Sequence, residues 1–568
     1  MSGEAELRRR RTKLGTEEEK VDDKVASLKE KEDNDTTKTG EEAVVLEGGS
    51  YWLTRILYIR FLAFIYLVAF LVSYSQNKAL LGDRGLTPVR LYLARLRSGL
   101  PSWNSRLTAA PTLLWLADHA APLDPLLDGL SIAGAGLAAV LIITGAANML
   151  SLAALWMLYH SLVSVGQVWF GFGWESQLLE TGFLAIWAVP LLQWSRLPAS
   201  LPAPGLAVWG HRWLLTRIML GAGLIKLRGD SCWRDLTCMN YFYQTQPNPN
   251  PLSYYAHQAP PAWHSFETFG NHLIELIFPL FTFLPWRSTW IFNGCFQIFF
   301  QTVLISTGNL SFLNWLTMVP AVWYLDDKFL SPIFPRSTVA RVAALQAGLG
   351  RGSSKVGGVT GPGRGRQGVT WVVTALLAWL SLPIIANLAS PTQAMNRSFD
   401  PLRLVNTYGA FGSVTRERDE VVLEGSRAGN PREPNIVWLE YEFPCKPGNI
   451  SRRPCTLSPF HYRLDWQMWF AGFQSYHQNP WLLHLMGKML HGDPMLDSLL
   501  DHNPFRGQAP PRLVRARHYR YQFTAAAGAA AGRGGWWERR LLGEYTPVLD
   551  REILKPVYKQ FGWTSHPK

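Results

Sequence analysis

Cysteine is scarce in this chain, and the familiar catalytic motifs are missing from it. The five cysteines form no C-x-x-C pair, which argues against a thioredoxin-type redox site. No G-x-S-x-G, H-E-x-x-H or G-x-x-x-x-G-K-[ST] motif occurs, so nothing indicates a serine lipase, a zinc protease or a P-loop enzyme. The 13 histidines are scattered without metal-ligand spacing. We therefore expect a protein that holds no metal or cofactor and is not an enzyme.

Acidic residues are outnumbered by basic ones, and the formal net charge is +13. Many lysines and arginines flank apolar runs, a pattern typical of membrane topology signals, so we expect no nucleic-acid partner. Residues 1–49 are charged and almost free of aromatic side chains, which predicts a disordered cytosolic tail. This tail lacks the short apolar core of a signal peptide.

Apolar residues are abundant, at 48% of the chain, with 25 tryptophans and 28 phenylalanines. Apolar runs of about 18 or more residues predict membrane-spanning helices. We predict an α-helical polytopic membrane bundle of about nine spans, give or take about two, in contact with membrane lipids. The spans are placed at about 51–74, 130–149, 150–170, 177–194, 208–227, 273–284, 289–306, 310–324 and 369–388.

Charge and turn residues divide the chain into segments. They are the tail, a helical membrane bundle with luminal loops (50–325), a basic, glycine-rich cytosolic linker (326–368), the last span (369–388) and a luminal β-rich domain (389–568). The basic linker obeys the positive-inside rule if the N-terminus is cytosolic. An odd number of spans then places the last segment in the lumen of the endoplasmic reticulum, where Asn396 and Asn449 are glycosylation acceptors.

Within the last segment, the residue pattern changes from helical to strand-like. Residues 420–424 and 436–443 are typical of strands, and residues 462–470 and 517–523 also suit strands. Residues 481–490 fit an amphipathic helix. These patterns predict a small β-rich domain that is capped by one or two helices.

Several ionisable residues lie within or beside the apolar runs, namely Glu175, Glu180, Arg217 and Glu275. A charge at bilayer depth costs about 2.5 kcal/mol or more, so each group needs a partner or a polar cavity. Glu180 could pair with Arg217 from the following span. Two interpretations stay open: a polar pocket inside the bundle, or a structural ion pair that sets the helix register.

The cysteines fall into two close pairs, Cys232 with Cys238 and Cys445 with Cys455. In an oxidising lumen such pairs favour two local disulfides. The alternative is thiol exchange with cysteines of a client protein. No C-x-x-C motif or nearby helix N-terminus lowers a thiol pKa here, so the sequence favours the disulfides.

Tryptophan is frequent in the last segment and allows two interpretations. Some of these rings must form the core of the small domain. Others would be exposed and bind a partner. We take Trp466, Trp469, Trp536 and Trp537 as client-binding candidates. Trp536 and Trp537 follow a Gly/Ala-rich stretch, and we expect both to be exposed.

Two stretches carry a resemblance to a known family. Residues 395–421 (MNRSFDPLRLVNTYGAFGSVTRERDEV) and residues 172–186 (FGWESQLLETGFLAI) resemble the lipase maturation factor family of the endoplasmic reticulum. The resemblance runs from about residue 50 to the C-terminus. It implies a membrane protein that helps secreted lipases, namely lipoprotein, hepatic and endothelial lipase, to fold and form homodimers. It also implies non-covalent client binding through the luminal domain.

A shorter resemblance supports a competing interpretation. Residues 222–227 (AGLIKL) are similar to a helix of the vitamin K-dependent carboxylase, in which a lysine acts as a base. That similarity implies a membrane enzyme with Lys226 as its base. A lysine at the end of a helix that only extends its amine to the membrane surface has the same pattern.

Overall fold

The computed structural model describes residues 45–117, 121–201, 204–350, 363–525 and 535–563. Most of the predicted disordered tail, residues 1–44, lies outside the described residues, so that expectation stays a prediction. The described chain consists of a helical part followed by a part built around one antiparallel sheet.

The helical part begins at Trp52. Its α-helices are α1 (Trp52–Leu81), α2 (Val89–Gly99), α3 (Trp103–Ala109), α4 (Asp124–Thr144), α5 (Met149–Val165), α6 (Gly173–Ile186), α7 (Gly205–Arg228), α8 (Ser231–Arg234), α9 (Met239–Thr245), α10 (Pro251–His257), α11 (Pro261–His272), α12 (Arg287–Ser306), α13 (Leu313–Ala321), α14 (Asp327–Leu330), α15 (Arg336–Gly350) and α16 (Arg364–Ala389). A π-helical turn (Leu273–Ile277) and a 3-10 turn (Phe278–Phe283) join α11 to α12.

Three of the described helices are long and apolar enough to cross a bilayer: α1, α4 and α16. The prediction of nine spans is not confirmed, because several apolar runs do not form long helices. The run at 177–194 is helical only to Ile186, and the run at 310–324 contains an α-helix of 9 residues. Residues 273–283 leave α-helical geometry, and Pro279 there has no N–H to continue an α-helix.

Helix α1 lies at the centre of the helical part and packs along α4. A side chain at Gly134 of α4 would clash with the ring of Phe70, so only glycine allows this close approach. Asp327 binds the N-terminus of α1: its Oδ2 accepts from Trp52 N (2.9 Å) and its Oδ1 from Leu53 N (2.7 Å). A carboxylate at this position stabilises the positive end of the helix dipole.

The structure describes the stretch 326–350 of the predicted basic linker. It is helical in α14 and α15, and Val339 and Val342 are buried in one cluster with Leu53 of α1. Val339 and Val342 are three residues apart, a spacing that places both on one face of a helix, and they lie in the glycine-poor part of the predicted linker. Residues 351–362, the glycine-rich remainder, lie outside the described residues.

The C-terminal part contains β1 (Arg418–Ser426), β2 (Leu439–Glu440), β3 (Leu513–Phe523), β4 (Trp537–Glu544) and the helices α17 (Arg463–Ala471), α18 (Pro480–His491) and α19 (Arg551–Phe561). The sheet order is β2-β1-β3-β4, all antiparallel, with Val422 opposite Arg517 and Tyr521 opposite Arg539.

The strand expected at 462–470 is wrong, because this stretch forms α17. Leu464, Met468 and Ala471 have i, i+4, i+7 spacing, and all three are buried. The strand expected at 436–443 is reduced to the two residues of β2. In the sheet, β1 packs against α17 and β3 packs against α18.

The helical and C-terminal parts share one hydrophobic core. Trp169 after α5 meets Trp481 of α18 with ring centres 5.4 Å apart, and Trp174 of α6 meets Trp466 of α17 at 4.7 Å. Large apolar side chains are exposed on α11, on α12 and in the segment between them, namely Trp263, Phe266, Phe269, Phe283, Trp286 and Phe299.

Candidate functional site

The joint, residues 390–417, connects α16 to β1 and rests on a buried ion pair. Glu180 of α6 binds Arg217 of α7, and their side chains are 1% and 2% exposed. The second oxygen of Glu180 accepts from Asn406 N (3.0 Å), Asn406 Nδ2 (3.0 Å) and the Tyr408 hydroxyl (2.7 Å). Arg217 also donates to Asn406 O at 2.9 Å. The predicted Glu180–Arg217 pair exists, and the joint completes it.

Helix α7 approaches the joint closely along its length. A side chain at Gly221 would clash with the carbonyl oxygen of Tyr408. Gln393 donates to Gly221 O (2.9 Å) and accepts from Arg228 (2.7 Å). Asp230, just after α7, accepts from Val414 N at 2.9 Å. The joint is thus fixed to α7 by backbone and side-chain bonds rather than by apolar contact alone.

Glu175 forms a second buried pair with a partner that the sequence did not suggest. Arg463 of α17 lies 2.6 Å from it, and both side chains are fully buried. Arg463 also donates to Trp169 O (2.6 Å) and stacks on the ring of Phe170 at 3.5 Å. Glu175 accepts in addition from Trp174 and Tyr159. This pair links the helical part to the C-terminal part.

Lys226 and Glu275 form the third pair, at 2.5 Å, with side chains 6% and 5% exposed. Asn271 completes a closed set: it accepts from Lys226 at 3.3 Å and donates to Glu275 at 2.9 Å. Trp233 covers the ammonium group at 5.0 Å. Glu275 lies in the π-helical turn, a deviation that often accompanies function. The geometry allows Lys226 to act as an ion-pair partner and leaves the base hypothesis untested.

Both cysteine pairs are bonded in the structure, Cys232 with Cys238 and Cys445 with Cys455. Asp465 of α17 accepts from the N–H groups of Cys445 (2.7 Å) and Lys446 (2.9 Å) and so positions the second disulfide. Burial raises the pKa of Asp465 to about 6, although these two N–H groups act in the opposite direction. In the second disulfide Cys445 is buried and Cys455 is half-buried.

The tryptophan candidates differ in exposure. Trp537 is 2% exposed and stacks on Phe523 at 4.2 Å, and Trp466 is 5% exposed. The expectation that both Trp536 and Trp537 are exposed is wrong, because β4 turns Trp537 into the sheet core. Trp536 and Trp469 are half-buried.

One buried cluster was not identified from the sequence. Arg418 binds Glu420 at 2.7 Å, and Lys446 binds the same carboxylate at 2.8 Å. Arg418 also donates to Gln244 O (2.9 Å) in the last turn of α9 and to Pro247 O (2.8 Å) in the loop that follows. The spacing of Arg418 and Glu420 on one strand face was the available signal, since strand residues two apart share a face.

A cavity of about 840 Å³ lies between α6, α7 and α16. Its wall includes the Glu180–Arg217 pair at one end and Arg366 at the other. Four tryptophans line it: Trp187, Trp209, Trp213 and Trp371. The structural ion pair is therefore present, and it forms one end of a cavity that is largely apolar and not the polar pocket of the other interpretation.

Comparison with known proteins is consistent with the two-part architecture. The lipase maturation factor transmembrane domain model matches residues 53–332, and the lipase maturation factor C-terminal domain model matches residues 404–547. Lipase maturation factor 1 of Homo sapiens is 52% identical over 526 residues, which cover 91% of each chain. The chain belongs to the lipase maturation factor family.

Other family members align over similar lengths. Lipase maturation factor 1 of Bos taurus is 51% identical over 91% of this chain and 92% of that protein. Lipase maturation factor 2 of Gallus gallus is 31% identical over 87% and 81%. No solved structure matches this lipase maturation factor family member. The two family models divide the buried network, with Glu180 and Arg217 in the first and Asn406 and Tyr408 in the second.

Replacing Glu180 with glutamine should destabilise this family member by about 3–5 kcal/mol, because Arg217 is left as an uncompensated buried charge. The free energy of unfolding of the detergent-purified protein measures this loss. Glu552→Gln is the control, since Glu552 pairs with Lys555 on the surface and is 74% exposed. Equal stability of the two variants would contradict a structural role for the buried pair.

Proposed function

We propose that the protein is a maturation factor of the endoplasmic reticulum membrane that assists secreted lipases to fold and form homodimers. The clients would be lipoprotein lipase, hepatic lipase and endothelial lipase, bound without covalent chemistry by the C-terminal domain. The observation that carries this proposal is 51–52% identity, over about nine-tenths of both chains, to proteins named lipase maturation factor 1.

The C-terminal domain lies in the lumen in this proposal, with the N-terminus in the cytosol. Two features support this orientation: disulfides form in an oxidising lumen, and both sequon asparagines are exposed. Asn396 donates its amide to Gly409 O at 3.1 Å, whereas Asn449 only accepts from Ser451 N at 2.9 Å. The side-chain amide nitrogen of Asn449 is therefore more available than that of Asn396 for attachment of a glycan.

Glycosidase treatment of the protein from cells should lower its apparent mass on a denaturing gel. Asn449→Gln should remove the larger part of that shift, because the Asn396 amide is engaged in the folded joint. The double variant Asn396→Gln, Asn449→Gln should show no shift. A wild-type protein whose mobility does not change on digestion would contradict a glycosylated luminal domain.

The exposed edge of the sheet is the surface that best suits client binding. Within the described chain, β3 is the one strand that pairs with β4. On the other edge of β4, Trp537 N donates to Ile450 O at 3.1 Å, and the described residues give no backbone partner to that edge beyond Trp537. Leu541 and Leu542 on β4 are 45% and 40% exposed, and they lie at the bulge where the register between β3 and β4 shifts. A partly folded client can add a strand to such an edge and cover the leucines. Trp469 and Trp536, both half-buried, remain client-binding candidates.

Substituting both edge leucines tests this surface. In cells that lack the protein, the double variant Leu541→Lys, Leu542→Lys should restore about one-tenth or less of the secreted lipase activity that the wild type restores. The reason is that covering two leucines contributes several kcal/mol to the free energy of client binding. Ile553→Lys is the control, since Ile553 is exposed on α19 of the same domain. Full rescue by the double variant at wild-type protein level would exclude the edge as the client site.

The alternative function, a membrane enzyme with Lys226 as base, is favoured by the buried Lys226–Glu275 pair beside a π-helical turn. Lys226→Arg separates the two functions, because arginine keeps the charge opposite Glu275 but does not lose its proton. We expect Lys226→Arg to rescue lipase secretion as well as the control Lys488→Arg, which alters the buried pair with Asp493. Loss of rescue by Lys226→Arg alone, at normal protein level, would support the enzyme.

A further inference from the structure

The cavity between α6, α7 and α16 has the length of a bilayer. Its α16 wall runs from Arg366 to Ile385, and 19 residues of α-helix extend about 28 Å. The hydrocarbon core of a membrane is about 30 Å thick. The volume of the cavity, about 840 Å³, lies in the upper range of ligand cavities, about 300–1,000 Å³. It is therefore an elongated slot that runs along a membrane-spanning helix.

The outer wall of the slot is accessible from the bilayer. Trp371 and Leu382 of α16 are 75% and 54% exposed, and Trp209 of α7 is 51% exposed. Helix α16 is mostly unburied along its length, and Ser381 and Ile384 are its buried residues. A long, flexible apolar molecule could enter between α7 and α16 without crossing water.

The Arg366 end of the slot carries excess positive charge. Arg366 donates to Val189 O (2.6 Å), and Arg55 of α1 donates to Ala188 O (2.8 Å) and to Leu201 O, which belongs to the wall. The two guanidinium groups repel each other, and Asp327 attracts Arg55 more strongly than Arg366 repels it. Two arginines and one aspartate leave one net positive charge at this end. Across the described residues, neither arginine has a carboxylate within ion-pair distance.

The carbonyl groups after α6 do not neutralise these two arginines. A helix C-terminus carries only about half a negative charge. Two donors at this end, Arg55 Nη1 and Trp187 Nε1, are buried and have no hydrogen-bond partner among the residues that the structure describes. Trp187 is part of the wall, whereas Arg55 lies behind it. This end can accept an anionic group with several oxygens.

The opposite end of the slot is electrically balanced. Glu180 is neutralised by Arg217 and saturated by Asn406 and Tyr408. Between the two ends the wall is apolar and aromatic. The charge distribution therefore matches a molecule that is anionic at one end and apolar along the rest.

We propose that the slot binds one anionic glycerophospholipid of the bilayer. Its phosphate lies beside Arg366 and the indole N–H of Trp187, and its acyl chains follow α16 towards the Glu180–Arg217 pair. The bound lipid fills the space between α16 and α7 and so holds the last membrane helix against the bundle. This site is separate from the sheet edge proposed for clients, and its test does not depend on lipase activity.

Native mass spectrometry of the detergent-purified full chain, titrated with palmitoyl-oleoyl phosphatidylglycerol or with the phosphatidylcholine of the same chains, tests the proposal. We expect one phosphatidylglycerol per chain, bound about fivefold more tightly than phosphatidylcholine, as one basic contact predicts. Arg366→Gln should abolish the preference, and Arg364→Gln, an exposed arginine outside the wall, should preserve it.

Two tryptophan substitutions on α16 test the location of the lipid. Ala378 lines the slot and Ala375 does not, although both are exposed. Ala378→Trp should remove binding of both lipids, and Ala375→Trp should leave it unchanged. Equal binding by these two variants would identify a non-specific surface lipid and overturn the proposal. Two further results would overturn the proposal. One is a purified protein that forms a dimer and binds no lipid, and the other is a headgroup preference that survives Arg366→Gln.

Discussion

The buried ion pair between Glu180 and Arg217 is the interaction on which the joint depends. Both side chains are almost fully buried, and a charge moved out of water costs several kcal/mol unless it is paired and hydrogen-bonded. The remaining bonds to Glu180 come from Asn406 and Tyr408, which lie more than two hundred residues further along the chain. The buried carboxylate of Glu180 therefore has its full set of hydrogen-bond donors only when the joint is in place.

The same arrangement recurs at two more positions between the helical and C-terminal parts. Arg463 of α17 forms an ion pair with Glu175 of α6, and Arg418 of β1 donates to carbonyl groups in the last turn of α9 and just after it. In each case a long arginine from the C-terminal part supplies donors to a buried acceptor in the helical part. Together with the shared hydrophobic core, these contacts make the sheet a fixed platform next to the membrane rather than a tethered domain. In the proposed function, such a platform would limit the entropy lost when a client strand binds at its edge.

Several features of the candidate site were predictable because they follow from local chemistry. A carboxylate and a guanidinium in adjacent apolar runs require each other, which predicted the Glu180–Arg217 pair. Cysteines close in sequence are easily joined, which predicted both disulfides. The partner of Glu175 was not predictable in this way, because Arg463 lies in a stretch that has strand-like residues and forms a helix. The burial of Trp537 was missed because strand register, not residue type, decides which face a ring occupies.

The sequence by itself determined that the chain enters a membrane and that its buried charges need partners. It also indicated the family, through the resemblance of residues 172–186 and 395–421. Apolar composition and the placement of charges are local properties of the sequence, so they can be recognised without the three-dimensional structure. Only the tertiary structure decided which helices are long enough to span, how the joint completes the ion pair and where a lipid-sized slot is left. Those features depend on which distant segments pack together, and hydrophobicity has no direction that would specify the pairing.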